Sequence, residues 1–83
     1  MESKIQAKII KKLEAEGYYV LKLMKTNKNG IPDLIALPKD CNAVFYEIKS
    51  KTGSTSKLQD FRIKELTDFG VVCKVVDDPN QVP

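Results

Sequence analysis

Apolar and polar residues alternate with two different periods along this 83-residue chain, one typical of α-helices and the other of β-strands. Over residues 3–16 apolar side chains recur every three to four positions, which predicts an amphipathic helix that ends at Gly17. A second helix is predicted over about 57–69. Ser56 and Gln59 have the three-residue spacing of a capping box, which favours a helix start at that point.

Shorter apolar segments between the helices have the length and alternation of β-strands. The four predicted strands are 18–25, 34–37, 43–50 and 71–76. The Asn-Gly pair within 26–30 predicts a tight turn between the first two strands. The resulting order, α-β-β-β-α-β, predicts an α/β fold with a small mixed sheet flanked by two helices. We expect residues 1–83 to form a single domain in which 78–83 are a flexible polar tail.

Charged side chains are predicted to converge at one end of this sheet. Asp33 precedes the second strand, and Glu47 and Lys49 lie near the end of the third. If these strands form an antiparallel hairpin, the start of one lies beside the end of the other. Residues 47 and 49 then project from the same face. The two carboxylates could hold Mg²⁺ or Mn²⁺ with the Ile48 carbonyl, and Glu2 on the first helix offers a third carboxylate.

The composition narrows the chemistry that these residues could perform. The chain has no histidine, which excludes Ser-His and Cys-His catalysis and the usual zinc sites. An oxygen-liganded divalent ion remains, and such an ion promotes phosphodiester hydrolysis. Lys49 would orient or help deprotonate the attacking water, or neutralise charge on the phosphorane. The alternative is structural: Asp33 only starts a strand, and Glu47 and Lys49 form a solvated ion pair.

The net charge of +3 is unevenly distributed, because lysines outnumber acids in residues 1–57 and acids outnumber basic residues in 58–83. Five lysines near the predicted site are candidates for contacts with DNA phosphates: Lys22, Lys25, Lys28, Lys51 and Lys57. The lysines of the first helix are interpreted as a solvated surface, with a DNA-binding stripe as the alternative.

Several short motifs together resemble a known family. G-I-P-D (30–33), E-I-K (47–49), L-Q (58–59) and the opening E-S-K-I-Q (2–6) are similar to the motifs of the PD-(D/E)xK nuclease superfamily. Within it, the chain resembles the virus-type replication-repair nuclease (VRR-NUC) family in its short stand-alone form. The resemblance runs from Glu2 to about Asp77.

The resemblance implies roles for individual residues. Asp33 and Glu47 would bind Mg²⁺ or Mn²⁺ with the Ile48 carbonyl, and Lys49 would be the catalytic lysine. Glu2 would be an acid of the first helix that contacts the water shell of the metal or a second ion. Gln59 matches a glutamine on the second helix of the family and would support the site.

The resemblance also implies a substrate and an assembly. Stand-alone members are similar to Holliday-junction resolvases, so we expect a homodimer that cuts branched DNA. A dimer also follows from symmetry, since cutting two strands of a junction needs two sites related by a two-fold axis. The expected location is the cytoplasm, that of a host cell for a viral chain, without membrane attachment. The alternatives are a monomeric flap or nicking nuclease and a catalytically idle DNA-binding module.

Two side-chain environments are less obvious from the pattern. Arg62 lies in the apolar arc of the second helix, where it could pair with Asp60 or Glu65 or mark a dimer interface. Three aromatic residues are assigned to the core, with stacking on a base as the alternative: Tyr18, Tyr19 and Phe45.

Overall fold

The computed structural model describes residues 2–39 and 42–83, with Glu2 described by its backbone alone. Its elements are α1 (Glu2–Ala15), β1 (Tyr19–Lys22), β2 (Leu34–Leu37), β3 (Val44–Ile48), α2 (Lys57–Asp68), β4 (Val72–Val76) and a short 3₁₀-helix (Pro79–Gln81). This order confirms the predicted α/β fold, and most of the element boundaries agree with the sequence pattern to within one or two residues.

The four strands form one mixed sheet in the order β1-β2-β3-β4. The pairs β1–β2 and β2–β3 are antiparallel, with Leu34 opposite Tyr46, and β3 is parallel to β4. A parallel neighbour requires a crossover connection, and α2 supplies it. The predicted mixed sheet is therefore confirmed, and the β2–β3 hairpin has the antiparallel geometry that the site prediction requires.

Helix α1 covers one face of the sheet and forms the core with it. Ile9 and Leu13, one turn apart on α1, are completely buried against Leu34 and Tyr46. Because successive strand residues point to opposite faces, Glu47 projects away from this core and towards α2. The sheet thus separates an apolar layer under α1 from a more polar layer under α2.

The first strand is shorter and more exposed than the sequence predicts. Strand β1 ends at Lys22 and β2 begins at Leu34, so a long connection replaces the predicted tight turn. The Leu23 N–H donates to the Asp33 carbonyl at 2.8 Å and joins the two ends of this connection. Tyr19 is 68% exposed, which makes its assignment to the core wrong. The reason is that β1 is an edge strand, whereas α2 packs against β4 at the opposite edge.

The C-terminal segment, expected to be a flexible tail, folds back onto α1. Asp78 caps the 3₁₀-helix by accepting from the Asn80 N–H at 2.8 Å. Lys12 of α1 donates to the Pro79 carbonyl at 2.9 Å. Val82 is then buried in the core. One apolar residue near the end of a polar segment is too weak a pattern to predict this docking.

Candidate active site

Asp33 and Glu47 lie side by side where the pairing of β2 and β3 ends. The ladder between the two strands ends at the pair Leu34 and Tyr46. Asp33, which precedes Leu34, therefore lies opposite Glu47, which follows Tyr46. The Ile48 N–H donates to Oδ2 of Asp33 at 2.8 Å. The Asp33 side chain thus continues the β2–β3 hydrogen bonding in place of a backbone carbonyl. This bond holds the carboxylate beside Glu47.

The turn before Asp33 is packed tightly against α2. Gly30 has φ of +82°, a conformation that residues with a side chain rarely adopt. A Cβ at this position would lie 2.7 Å from Cγ of Leu58 and 3.3 Å from Cγ of Arg62. Pro32, two residues later, is fully buried. The G-I-P-D segment is therefore fixed by its contacts with the helix as well as by its own backbone.

Glu47 is the only charged residue of the described chain that is buried, with 2% of its surface exposed. Its Oε2 accepts from Nε2 of Gln59 at 3.0 Å and lies 3.3 Å from Nζ of Lys49. Its Oε1 is buried and has no hydrogen-bond partner. A buried carboxylate oxygen without a partner is costly in an ordinary core, so its environment favours an additional positively charged group.

The raised pKa of Glu47 indicates the same deficit of positive charge. Burial, and after it the charge of Asp33, raise the pKa of the Glu47 carboxyl from 4.5 to about 7. The Lys49 ammonium favours the ionised form but only partly offsets these two effects. In the absence of another cation, a proton therefore occupies Glu47 well above the pH at which an exposed glutamate ionises.

The capping box of α2 orients the amide of Gln59. Ser56 Oγ accepts from the Gln59 N–H at 3.1 Å, and Gln59 Oε1 accepts from the Ser56 N–H at 2.9 Å. Because the amide oxygen is engaged at the helix start, the NH₂ group of Gln59 faces Glu47. The sequence pattern predicted the capping box, and the family resemblance separately implied the supporting role of Gln59. The link between them through a single amide was not predicted.

The oxygen atoms at this end of the sheet fit a hard divalent cation. Among the side chains of residues 3–39 and 42–83, no group of three or more Asp, Glu, His or Cys residues comes together. A divalent ion at this position would have the Asp33 and Glu47 carboxylates as its side-chain ligands, and two such ligands would suit Mg²⁺ because this ion usually retains several waters. The unpartnered Oε1 of Glu47 is the atom that most needs such an ion. The Ile48 carbonyl remains a predicted ligand.

The predicted third carboxylate, that of Glu2, lies outside the described side chains. The backbone of Glu2 begins α1. A short connection joins α1 to β1, so the two run in opposite directions and the start of α1 lies at the end of the sheet that carries Asp33. The predicted role of Glu2 is therefore compatible with the path of the chain and remains a prediction.

The five candidate DNA-binding lysines are all exposed but lie in different places. Lys25 and Lys28 border a recess of about 300 Å³ in the connection before Asp33. Lys22 lies opposite Leu34 in the register and so projects towards the α1 face, away from Glu47. Lys51 forms an ion pair with Asp78 at 3.0 Å. The fifth, at position 57, begins α2.

Arg62 has a defined set of contacts. Its Nε donates to the Asn29 carbonyl at 2.8 Å, and its Nη1 pairs with Oε1 of Glu65 at 2.8 Å. Of the predicted partners, Glu65 is confirmed, whereas Asp60 instead accepts from the Thr55 hydroxyl. The position of Arg62 in an apolar arc was an unusual feature of the sequence, but no pattern indicated its bond to the turn before Asp33.

Comparison with known proteins adds one finding. No protein-family model and no curated protein sequence matches this chain. Among solved structures, the chain is similar to one described as a "VRR_NUC domain", with a TM-score of 0.86 and 25% sequence identity. The match covers 96% of this chain and 87% of the other. In the described residues, no helix is long and apolar enough to cross a membrane.

Proposed function

This chain is a VRR-NUC domain, and from that premise we propose that it is a metal-dependent endonuclease that hydrolyses phosphodiester bonds in branched DNA. Its membership of a nuclease family follows from the structural match. The observation that carries the proposal is the buried, unpartnered Oε1 of Glu47, in a carboxylate that lies beside Asp33 and forms an ion pair with Lys49.

Asp33 and Glu47 would hold Mg²⁺ or Mn²⁺ between them. Each carboxylate uses one oxygen for a bond within the protein, from the Ile48 N–H or the Gln59 amide. The arrangement leaves Oε1 of Glu47 for the ion. When bound, the ion supplies an activated water and stabilises the negative charge that develops during phosphodiester hydrolysis.

Lys49 would act on the reacting phosphate or on the attacking water. Its side chain is only 16% exposed, and Glu47 holds its ammonium at 3.3 Å. A cation in that position can stabilise the charge that develops on the phosphorane oxygens. It can also orient the water that attacks. The pairing with Glu47 restricts the lysine to the immediate surroundings of the site.

Lysines around the site would bind the DNA backbone. Lys25 and Lys28 lie on the recess before Asp33, and Lys57 lies at the start of α2, close to Gln59. Phosphate contacts of this kind are independent of sequence and make affinity fall steeply with salt. Recognition would then depend on the shape of the DNA, which favours a branched substrate. Such a protein would work in the cytoplasm.

A cleavage assay tests the proposed activity. Labelled four-way junction, flap and linear duplex would be incubated with the protein and Mg²⁺ or Mn²⁺, with Asp33→Asn as the inactive control. We expect paired cuts on the junction that the control lacks. Cutting restricted to the flap would favour the monomeric flap nuclease. Binding to the junction without cleavage in either metal would contradict the enzyme and favour the idle binding module.

We further propose that the active form is a homodimer. Phe61 and Phe69 of the α2 region are 53% and 88% exposed. Large apolar side chains on the surface often mark an interface, and a second copy of the chain would bury them. Sedimentation equilibrium at micromolar concentration should give twice the 9.3 kDa mass of the chain. A mass of 9.3 kDa under these conditions would contradict the dimer without affecting the proposed chemistry.

A further inference from the structure

Helix α2 contacts both segments that carry the proposed metal ligands. At its start, Gln59 donates to Glu47 at the end of β3. One residue earlier, Leu58 lies so close to Gly30 that a Cβ there would be 2.7 Å from its Cγ. One turn later, Arg62 donates to the Asn29 carbonyl at 2.8 Å. The helix therefore bridges the two strand ends from which the two carboxylates extend.

The Arg62 guanidinium is held in a single orientation by several neighbours. Its Nε donates to the Asn29 carbonyl, and its Nη1 donates to Glu65, which lies one turn further along α2. Its central carbon lies 5.4 Å from the centre of the Phe61 ring, within the range of a cation–π contact. Only 18% of the side chain is exposed. Contacts on this many sides restrict an otherwise flexible side chain.

The segment that receives this hydrogen bond is not held by strand pairing, although within it the Thr26 hydroxyl bonds both the carbonyl and the N–H of Lys28. It lies in the connection between β1 and β2, outside the ladder. The bond from the Leu23 N–H to the Asp33 carbonyl joins the two ends of this connection. Between those ends, the contacts with Arg62 and Leu58 hold Asn29 and Gly30 against α2.

We propose that α2 is a brace that sets the separation of the Asp33 and Glu47 carboxylates, and that Arg62 is a positioning residue for Asp33. This inference rests on the proposed metal site. Arg62 touches neither carboxylate, so it acts through the backbone of Asn29 and the turn that follows. Gln59 fixes the Glu47 side of the same brace. The divalent ion then meets two ligands whose spacing is set before it binds.

Metal binding by the protein alone tests the brace, because it requires neither DNA nor turnover. Mn²⁺ affinity would be measured by calorimetry on the full chain at a temperature where circular dichroism shows each variant to be folded. Arg62→Met retains the apolar stem but removes both hydrogen bonds. The matched control, Lys64→Met, removes one positive charge from the same helix, where Lys64 has only an exposed partner in Asp68 at 3.8 Å.

We expect Arg62→Met to weaken Mn²⁺ binding by about 5- to 10-fold, the effect of losing one hydrogen bond that fixes a ligand. Lys64→Met should stay within about two-fold of the wild type, since exposed ion pairs couple weakly. If Arg62→Met does not fold, Arg62→Lys takes its place, because it retains charge and length but lacks the Nε donor. A variant that is less stable but binds Mn²⁺ as tightly as the wild type would overturn the brace.

Asp33→Asn in the same Mn²⁺ titration distinguishes a failure of the proposed metal site from a failure of the positioning role of Arg62. If Asp33→Asn loses Mn²⁺ binding and the Arg62 variants do not, the metal site stands and only the brace is contradicted. If Asp33→Asn binds Mn²⁺ normally, the ion binds elsewhere and the proposed function itself is contradicted, together with the brace.

Discussion

Two lysine–carboxylate pairs, whose lysines are only two residues apart, differ strongly in their exposure to solvent. Lys49 and Glu47 are 3.3 Å apart, with 16% and 2% of their side chains exposed. Lys51 and Asp78 are closer, at 3.0 Å, but 67% and 31% exposed. The pKa of Glu47 is raised to about 7, mainly by burial, whereas the Asn80 N–H and then Lys51 lower the pKa of Asp78.

The contrast shows that solvation, and not the distance between the charges, decides what each pair does. Water screens the Lys51–Asp78 pair, so the pair contributes little to stability and its charges do not require another partner. Around Glu47 there is too little water and too little positive charge, because one ammonium does not offset burial and the nearby Asp33. A carboxylate in that state has a strong preference for an additional cation.

The two capping boxes seen in residues 2–39 and 42–83 differ in the same way. Gln59 and Gln81 each accept, through Oε1, from the N–H of their N-cap residue, Ser56 or Asp78. Locally the motifs are equivalent. The Gln59 amide continues to a buried carboxylate at 3.0 Å, while Gln81 is exposed. A local motif acquires a role in the site only when the fold places a partner beside it.

Among the changes that test the contrast between the two pairs, removal of Lys49 should have the largest effect on cleavage. Lys49→Met should reduce junction cleavage by about 10²- to 10⁴-fold, the usual contribution of a group that transfers a proton or stabilises charge during reaction. Single-turnover cleavage at saturating Mg²⁺ measures it, with Lys64→Met as the control for lost charge. Cleavage by Lys49→Met at the rate of the control would remove Lys49 from the mechanism.

The pKa of Glu47 predicts how stability depends on pH when a chelator removes metal. Because the folded-state pKa is raised, the folded protein retains a proton that the unfolded chain releases between about pH 4.5 and 7. The free energy of unfolding should therefore fall across this window, by up to about 3 kcal/mol, and level off above it.

Glu47→Gln isolates that contribution, because it cannot titrate. The stability of the variant relative to the wild type should rise with pH through the same window, as measured by urea denaturation at several pH values. A difference between the two proteins that does not change with pH would show that Glu47 is ionised throughout, which would contradict the contrast between the two pairs.

Two glycines with similar backbone angles allow the packing of the site to be tested. Gly30 has φ of +82° and Gly70 has φ of +91°, but a Cβ on Gly70 would meet nothing within 4 Å. Gly70→Ala should cost about 1–2 kcal/mol for the left-handed backbone alone. Gly30→Ala should cost about 1–3 kcal/mol more, because it also overpacks Leu58. Equal losses in thermal or urea unfolding would mean that the turn does not depend on contact with α2.

The smallest effect is expected at the exposed pair. Asp78→Asn removes the partner of Lys51 but keeps an oxygen to cap the 3₁₀-helix, so the fold should be retained. Cleavage should stay within about two-fold of the wild type, since a screened ion pair contributes little. A loss comparable to that of Lys49→Met would show that the two pairs are not as different as their solvation suggests.

The convergence of Asp33 and Glu47 could be predicted from the sequence because it follows from simple rules. Strand alternation gives the faces, and a short loop between β2 and β3 gives an antiparallel hairpin. The capping box at Ser56 was equally local and equally predictable. These features depend on neighbouring residues, so a single sequence contains enough information to predict them.

The bond from Arg62 to Asn29 could not be predicted, because it joins residues 33 positions apart through a connection that has no periodic pattern. The exposure of Tyr19 was missed for a related reason, since alternation identifies a strand but not whether a helix covers it. The deficit of charge around Glu47 also required the fold, because burial is a property of the assembled layers.

The most direct test of the account is the location of the divalent ion. Crystals grown with Mn²⁺ would be measured at a wavelength where manganese scatters anomalously. The account predicts one or two anomalous peaks between the carboxylates of Asp33 and Glu47, with Oε1 of Glu47 among the ligands. Well-ordered Asp33 and Glu47 side chains without a peak between them, in crystals that bind Mn²⁺ elsewhere, would contradict it.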